Sequence, residues 1–121
     1  MKIWLIVGAC LAALSVLIGA FGAHGLKSKI SIHDLATFEI GVRYQMYHAL
    51  AILLLGVISN YFPDSLISPV AYFMVIGVII FSGSLYLLVL TDIKWFGAIT
   101  PLGGICLIIG WILLAVNIYR S

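Results

Sequence analysis

Long apolar stretches separated by short polar segments make up most of this chain of 121 residues. Three of the stretches contain about 20 apolar or small residues, the length with which an α-helix crosses the hydrocarbon core of a bilayer. The remaining stretch reaches that length only if it includes the polar residues between Ile40 and His48. The pattern predicts one integral membrane domain over residues 1–121, an all-α antiparallel four-transmembrane-helix bundle with helices near residues 3–23, 33–60, 69–90 and 100–119.

Local signals mark the predicted helix starts. Ser31, followed by Asp34, is typical of a helix N-terminus, because the hydroxyl accepts from an unpaired backbone amide and the acid favours the positive end of the helix. The Ser-Pro pair at 68–69 and the Thr-Pro pair at 100–101 each place a capping hydroxyl before a proline. Because proline is favoured at the first helical position, these pairs predict where the third and fourth helices begin.

Composition supports a membrane protein and excludes other classes. The chain is 64% hydrophobic and 8% charged, whereas a soluble domain is roughly 45–50% apolar. A net charge of +2 without a basic run does not indicate a nucleic-acid partner. Cys10 and Cys106 lie in apolar stretches without metal-ligand spacing, so we predict no metal and no cofactor. The first stretch exceeds the roughly 7–15 apolar residues of a signal peptide, so we interpret it as a retained helix.

Small residues recur along one face of the first and fourth predicted helices. On the first helix they are spaced three or four residues apart, which keeps them on one narrow face. In lipid, such residues allow helix backbones to approach closely. The predicted packing residues are Gly8, Ala12, Ser15, Gly19 and Gly22 on the first helix, and Gly103 and Gly110 on the fourth.

The second predicted helix carries the candidate polar site. Glu39 and Arg43 lie one helical turn apart and can form an ion pair. Gln45 and His48 lie on a second, polar face of the same helix, which indicates that this face points into the bundle or into a cavity.

Depth in the bilayer sharpens the prediction for His48. If the helix enters the hydrocarbon near Ile40, His48 lies about 12 Å inside, too deep to reach the interface. Counting the same number of residues along the first and third helices reaches Ser15 and Ser82. We therefore predict a polar layer in which a neutral His48 bonds to a hydroxyl or to trapped water. The candidate polar site consists of Glu39, Arg43, Gln45, His48, Ser15 and Ser82.

Four segments carry a family resemblance that covers essentially the whole chain. They are residues 19–25 (GAFGAHG), 44–48 (YQMYH), 81–86 (FSGSLY) and 97–104 (GAITPLGG). Together they resemble a family of small bacterial multi-pass membrane proteins of unassigned function, which has relatives in eukaryotes. The resemblance implies a four-span protein of the bacterial cell membrane, without an activity, catalytic residue or ligand to transfer.

Charge near the helix ends predicts an orientation. With four spans, Lys2 and Arg120 lie on one side of the membrane, and Lys27, Lys29 and Lys94 lie on the other. Cytoplasmic loops are enriched in such residues, so three against two favours both termini outside. A protein inserted in both orientations would show the same small difference.

Enzymatic and metal-binding functions lack support in the sequence. A metal or haem site would need His24, His33 and His48 to converge, yet the first two lie near the interface. An intramembrane hydrolase would use Ser82 and His48, but no nucleophile or oxyanion motif accompanies them.

We therefore predict a non-enzymatic protein that resides in the lipid bilayer and associates with itself or with other membrane proteins. In this interpretation the polar layer sets the register of the helices. The alternative is an oligomeric transporter or channel for small solutes or protons, with the polar stripe of the second helix as its path.

Overall fold

The computed structural model of the protein describes residues 2–121, most of which are helical. Helix α1 spans Lys2–Phe21 and continues into a π-helical turn at Gly22–Leu26; α2 spans Ile32–Ile58, α3 spans Asp64–Thr91 and α4 spans Trp95–Arg120. Within residues 2–121 there is no strand. All four helices are long and apolar enough to cross a membrane. The predicted all-α fold with four spanning helices is confirmed.

The helices pack in chain order, as α1 on α2, α2 on α3 and α3 on α4. The first pair is antiparallel, because Gly8 lies against Leu53 while Gly22 lies against Phe38. Among the described residues, no comparable contact joins α1 to α4. Helices α2 and α3 are therefore the inner pair, and α1 and α4 flank them.

The small residues predicted on α1 lie at its contact with α2. A Cβ atom built on Gly8 would lie 2.8 Å from a backbone oxygen of α2, and one on Gly19 would lie 3.2 Å from Val42. On the same helix, Ser15 is buried and Ala12 is half-buried. The close approach of α1 to α2 therefore depends on glycine, which has no side chain, at positions 8 and 19.

Glycines also bring α3 and α4 together. Gly103 lies so close to α3 that a Cβ atom there would overlap the backbone nitrogen of Phe81. A Cβ atom on Gly110 would lie 3.1 Å from the Met74 side chain, and one on Gly77 would lie 3.0 Å from the backbone nitrogen of Leu107. Both predicted glycines of α4 are thus placed against α3.

The predicted start of α2 is confirmed. Ser31 is the N-cap residue, and its hydroxyl oxygen accepts a hydrogen bond of 3.0 Å from the backbone N–H of Asp34. The helix ends at Ile58, two residues before the predicted end at residue 60.

The predicted starts of α3 and α4 at the two prolines are wrong. Both prolines lie inside helices, with Pro69 in the second turn of α3 and Pro101 in the second turn of α4. The Ser68 hydroxyl donates 2.8 Å to the Asp64 carboxylate instead of capping a helix. A proline so near a helix start forfeits a single backbone hydrogen bond, which a membrane helix tolerates.

The turn between α3 and α4 is closed by residues in and next to it. Asp92 has a left-handed backbone conformation with φ of 57°, and its N–H donates to the Leu88 carbonyl. The Lys94 ammonium donates a 3.0 Å hydrogen bond to the Asp92 carboxylate, which raises the pKa of Lys94 above its ordinary value.

The apolar core has two halves with polar side chains between them. The half near the chain termini includes Trp4, Ile52, Ile67 and Met74. The half near the opposite turns consists of Leu26, Phe38 and Val89. The buried polar residues are Ser15, Gln45, His48, Ser82 and Ser84.

Candidate functional site at the centre of the bundle

Gln45, at the midpoint of α2, connects three helices. Its side-chain Nε2 donates a 2.9 Å hydrogen bond to the backbone carbonyl of Leu11 on α1. Its Oε1 accepts a 2.7 Å hydrogen bond from the Tyr86 hydroxyl on α3. Because the side chain is only 5% exposed, this amide is held in place by protein groups on two sides.

The two serines predicted as partners of His48 bond elsewhere. The Ser82 hydroxyl donates a 2.6 Å hydrogen bond to the Gly41 carbonyl and so joins α3 to α2. The Ser15 hydroxyl donates 3.0 Å to the Leu11 carbonyl of its own helix. The prediction that His48 bonds to one of these hydroxyls is wrong.

His48 is instead paired with Trp111 on α4. The indole Nε1 of Trp111 lies 3.0 Å from His48 Nε2, and His48 Nδ1 lies 2.8 Å from the Tyr44 carbonyl oxygen. An indole N–H can only donate and a carbonyl can only accept, so Nε2 is the acceptor and Nδ1 carries the hydrogen. These partners fix the neutral form of the imidazole in one tautomer.

The predicted single polar layer is also wrong. Ser82 is level with Gly41, which lies seven residues, about 10 Å of helix, before His48. The residue count placed Ser82 level with His48, whereas the hydrogen bond of Ser82 to Gly41 joins α3 to a point nearer the start of α2. The polar side chains therefore form two groups on α2, one around Gln45 facing α1 and α3, and one around His48 facing α4.

Glu39 and Arg43 lie outside the bundle. Their side chains form the predicted i, i+4 ion pair with an Arg43 Nη2 to Glu39 Oε2 distance of 3.7 Å. The two side chains are 50% and 63% exposed, respectively. The structure therefore brings Gln45, Ser82 and Ser15 near one another, but separates them from this pair.

Sequence reasoning missed two aromatic partners. Tyr86 and Trp111 lie in predicted spanning helices and are not among the predicted site residues, yet each donates to a polar side chain of α2. The signal was available, because a phenol or indole deep in a spanning helix needs an acceptor that lipid does not supply.

Two further polar contacts join α3 to α4 at different levels. The hydroxyls of Ser84 and Thr100 lie 2.6 Å apart, and the Asn117 side-chain amide donates 2.8 Å to the Leu66 carbonyl. Each contact gives a hydrogen-bond partner to polar groups that neither lipid nor water would satisfy within the bilayer.

A groove between α1 and α3 opens above Gln45. Its volume is about 190 Å³, and its floor includes Gln45, Ser82 and Tyr86. Gly83 also lines the groove, and a Cβ atom built on it would meet nothing within 4 Å. The remaining lining is aliphatic, so the groove is a mainly apolar recess with a polar floor.

The other polar side chains considered for chemistry do not converge. His24 and His33 are exposed near the first turn, whereas His48 is buried at the bundle centre. Among residues 2–121, no group of three histidine, cysteine, aspartate or glutamate side chains is arranged to hold a metal ion.

Comparison with known proteins relates this chain to bacterial membrane proteins of unknown function. A family model described as a protein of unknown function, DUF423, matches residues 18–104. The UPF0382 membrane protein SAB0533 of Staphylococcus aureus is 49% identical over 120 residues, covering 99% of this chain and 98% of that protein. The UPF0382 membrane protein YwdK of Bacillus subtilis is 44% identical over 117 residues, covering 96% and 95%. No solved structure matches the chain.

Proposed function

The chain belongs to the DUF423 family of membrane proteins of unknown function. We propose that it is a non-enzymatic protein that associates with itself or with other membrane proteins. The observation that carries the proposal is the outer face of α2, which we define as Glu39, Ile40, Arg43, Tyr44, Tyr47, Leu50, Leu54 and Val57. All eight residues are exposed in the protomer.

Half of this outer face is polar, and the Tyr44 ring at its edge also packs against Phe81 of α3, with the ring centroids 4.8 Å apart. Glu39 and Arg43 carry charges, and Tyr44 and Tyr47 carry phenol hydroxyls that have no hydrogen-bond partner among the described residues. Charged residues in spanning helices almost always face protein or a water-filled cavity, because lipid cannot solvate them. A protein partner on this face would provide that environment.

The interior polar groups support a structural role for the bundle centre. Both ring nitrogens of His48 and both ends of the Gln45 amide have partners within the protomer. The Ser82 hydroxyl donates to a backbone carbonyl and not to the imidazole. No serine is thereby activated by His48, which favours a non-enzymatic protein.

Photo-crosslinking in living cells tests the proposal. A benzophenone side chain replaces Tyr47, and the matched control carries it at Ile105 on α4. These two positions are 56% and 55% exposed, and each lies at least ten residues from both ends of its helix.

We expect irradiation to produce discrete protein adducts from position 47 and none from position 105. Adducts at neither position, or equal adducts at both, would contradict a protein contact specific to the outer face of α2.

Transport by an oligomer is the second candidate, favoured by the groove that reaches Gln45, Ser82 and Tyr86. A path along these groups would need Gln45 to exchange its present partners for a passing solute or proton. Flux of ions and small solutes into vesicles should then depend on Gln45. Equal flux from wild-type and Gln45→Leu protein would contradict this candidate.

A further inference from the structure

We propose that the outer face of α2 binds a second copy of the chain, inserted in the same orientation, so that the two α2 helices pack about a twofold axis along the bilayer normal. This inference rests on the proposed function and specifies its partner. It is carried by the spacing, the depth and the charge of the residues on that face.

The spacing of the outer face fits helix-on-helix packing. Six of its residues follow one another at intervals of three or four along α2, namely Ile40, Arg43, Tyr47, Leu50, Leu54 and Val57. Alternating intervals of three and four form the seam along which two parallel helices pack side chain into gap. Helix α2 therefore has one seam in use within the protomer and a second one open.

Depth makes the open seam costly in lipid. Helix α2 has 27 residues, about 40 Å, and the hydrocarbon is about 30 Å thick. Arg43, Tyr44 and Tyr47 lie within two residues of the helix midpoint at Gln45. Measured from a hydrocarbon boundary near Ile40, the Tyr47 side chain starts about 10 Å inside, where an unpaired donor or acceptor is unfavourable.

Charge makes the face complementary to itself. Glu39 and Arg43 carry opposite charges one turn apart. They form an ion pair of 3.7 Å in which both side chains are exposed. A twofold axis brings the same patch of two subunits together. The two Arg43 side chains then lie at the same height, and each is about one turn, or roughly 6 Å, from Glu39 of the other copy, so the four charges can form one network shielded from lipid.

Orientation follows from the uneven distribution of these charges. Glu39 and Arg43 lie in the first half of α2, whereas Leu50, Leu54 and Val57 lie in the second half. Copies in the same orientation pair the charged halves with each other and the aliphatic halves with each other. Opposite orientation would set the carboxylate and guanidinium of one copy against the aliphatic half of the other.

Disulfide trapping of purified protein tests the partner and its orientation. Single cysteines replace Ile40 or Leu54 in a background where Cys10 and Cys106 are alanine. The variants are reconstituted into phosphatidylethanolamine and phosphatidylglycerol vesicles and oxidised. The control is Ile108→Cys, which is exposed on α4.

We expect covalent dimers from Ile40→Cys and from Leu54→Cys, severalfold more than from Ile108→Cys. In opposite orientation, neither single variant would dimerise, but co-expression of the two would give a mixed disulfide. That mixed product alone would overturn the proposal, and so would dimers no more frequent than those of the control.

Charge exchange provides the second test. Adding Glu39→Arg or Arg43→Glu to the Ile40→Cys chain makes each face carry two like charges, so we expect severalfold less dimer. Co-expressing the two altered chains restores opposite charges across the interface and should restore the dimer. Dimer formation indifferent to these changes would contradict the charge network.

The outcome also separates this inference from the proposed function. If the probe at position 47 captures a different protein in cells while purified protein gives no disulfide dimer, the second copy is the wrong partner and association still stands. If both experiments are negative, both proposals fail.

Discussion

The two faces of α2 both carry polar side chains, but they differ in whether those side chains have hydrogen-bond partners within the protomer. On the inner face, the polar atoms of Gln45 and His48 are matched by groups of α1, α3, α4 and α2 itself. On the outer face, Tyr44 and Tyr47 have hydroxyls without partners among residues 2–121. The difference indicates that the protomer completes one face, and that the second face is completed by another chain.

Neighbouring residues on the two faces should respond most differently to added bulk. Gly41→Leu places a Cβ atom 2.8 Å from the Tyr86 ring, so we expect overpacking to lower the free energy of unfolding by about 1–3 kcal/mol. Ile40→Phe, which adds bulk on the outer face, should leave the unfolding free energy of the monomer nearly unchanged. Unfolding by a denaturing detergent measures both, and equal losses would contradict the assignment of the faces.

Removal of the Gln45 amide should have the next largest effect. Gln45→Leu leaves the Tyr86 hydroxyl without its acceptor, which costs about 1–3 kcal/mol for a buried group. Adding Tyr86→Phe removes the unpaired hydroxyl and should recover part of the loss. A double-mutant cycle in detergent measures the coupling, and strictly additive losses would rule out this hydrogen bond.

The pair between α2 and α4 should be weaker. Trp111→Phe removes the donor to His48, and hydrogen bonds in membrane proteins average about 0.6 kcal/mol. We expect the free energy of unfolding to fall by about that amount. The double variant Trp111→Phe, His48→Leu should lose less than the sum of the losses of the two single variants. Nitrogen NMR of the imidazole gives an independent check, because Nε2 should be unprotonated in the wild-type protein.

The smallest effect on the protomer should come from the outer face. Tyr47→Phe removes a hydroxyl that bonds to nothing within the described protomer, so its unfolding free energy should stay within about 0.5 kcal/mol of wild type. A larger loss in monomeric protein would mean that the hydroxyl has a partner inside the bundle.

The helix count could be predicted because hydropathy and length determine it in a bilayer, and the Ser31 cap could be predicted because its signal is local. The starts of α3 and α4 could not, since Pro69 and Pro101 are tolerated in a second turn when the flanking residues favour helix. Local sequence does not reveal that tolerance.

The candidate site was predicted in part. The polar face of α2 could be read from its periodicity, and Gln45 and His48 are indeed buried. Their partners could not be read, because the match of Gln45 to Leu11 and of His48 to Trp111 depends on how far each helix slides along its neighbour. A carbonyl partner, moreover, leaves no trace in the sequence.

The most direct test is the contact of the outer face of α2 with lipid. Spin labels at Leu50→Cys and Ile108→Cys report oxygen accessibility in the bilayer. These positions are 54% and 58% exposed in the protomer, and each lies at least eight residues from both ends of its helix. A covered face predicts severalfold lower accessibility at position 50 than at position 108, whereas equal accessibility would contradict a protein partner on α2.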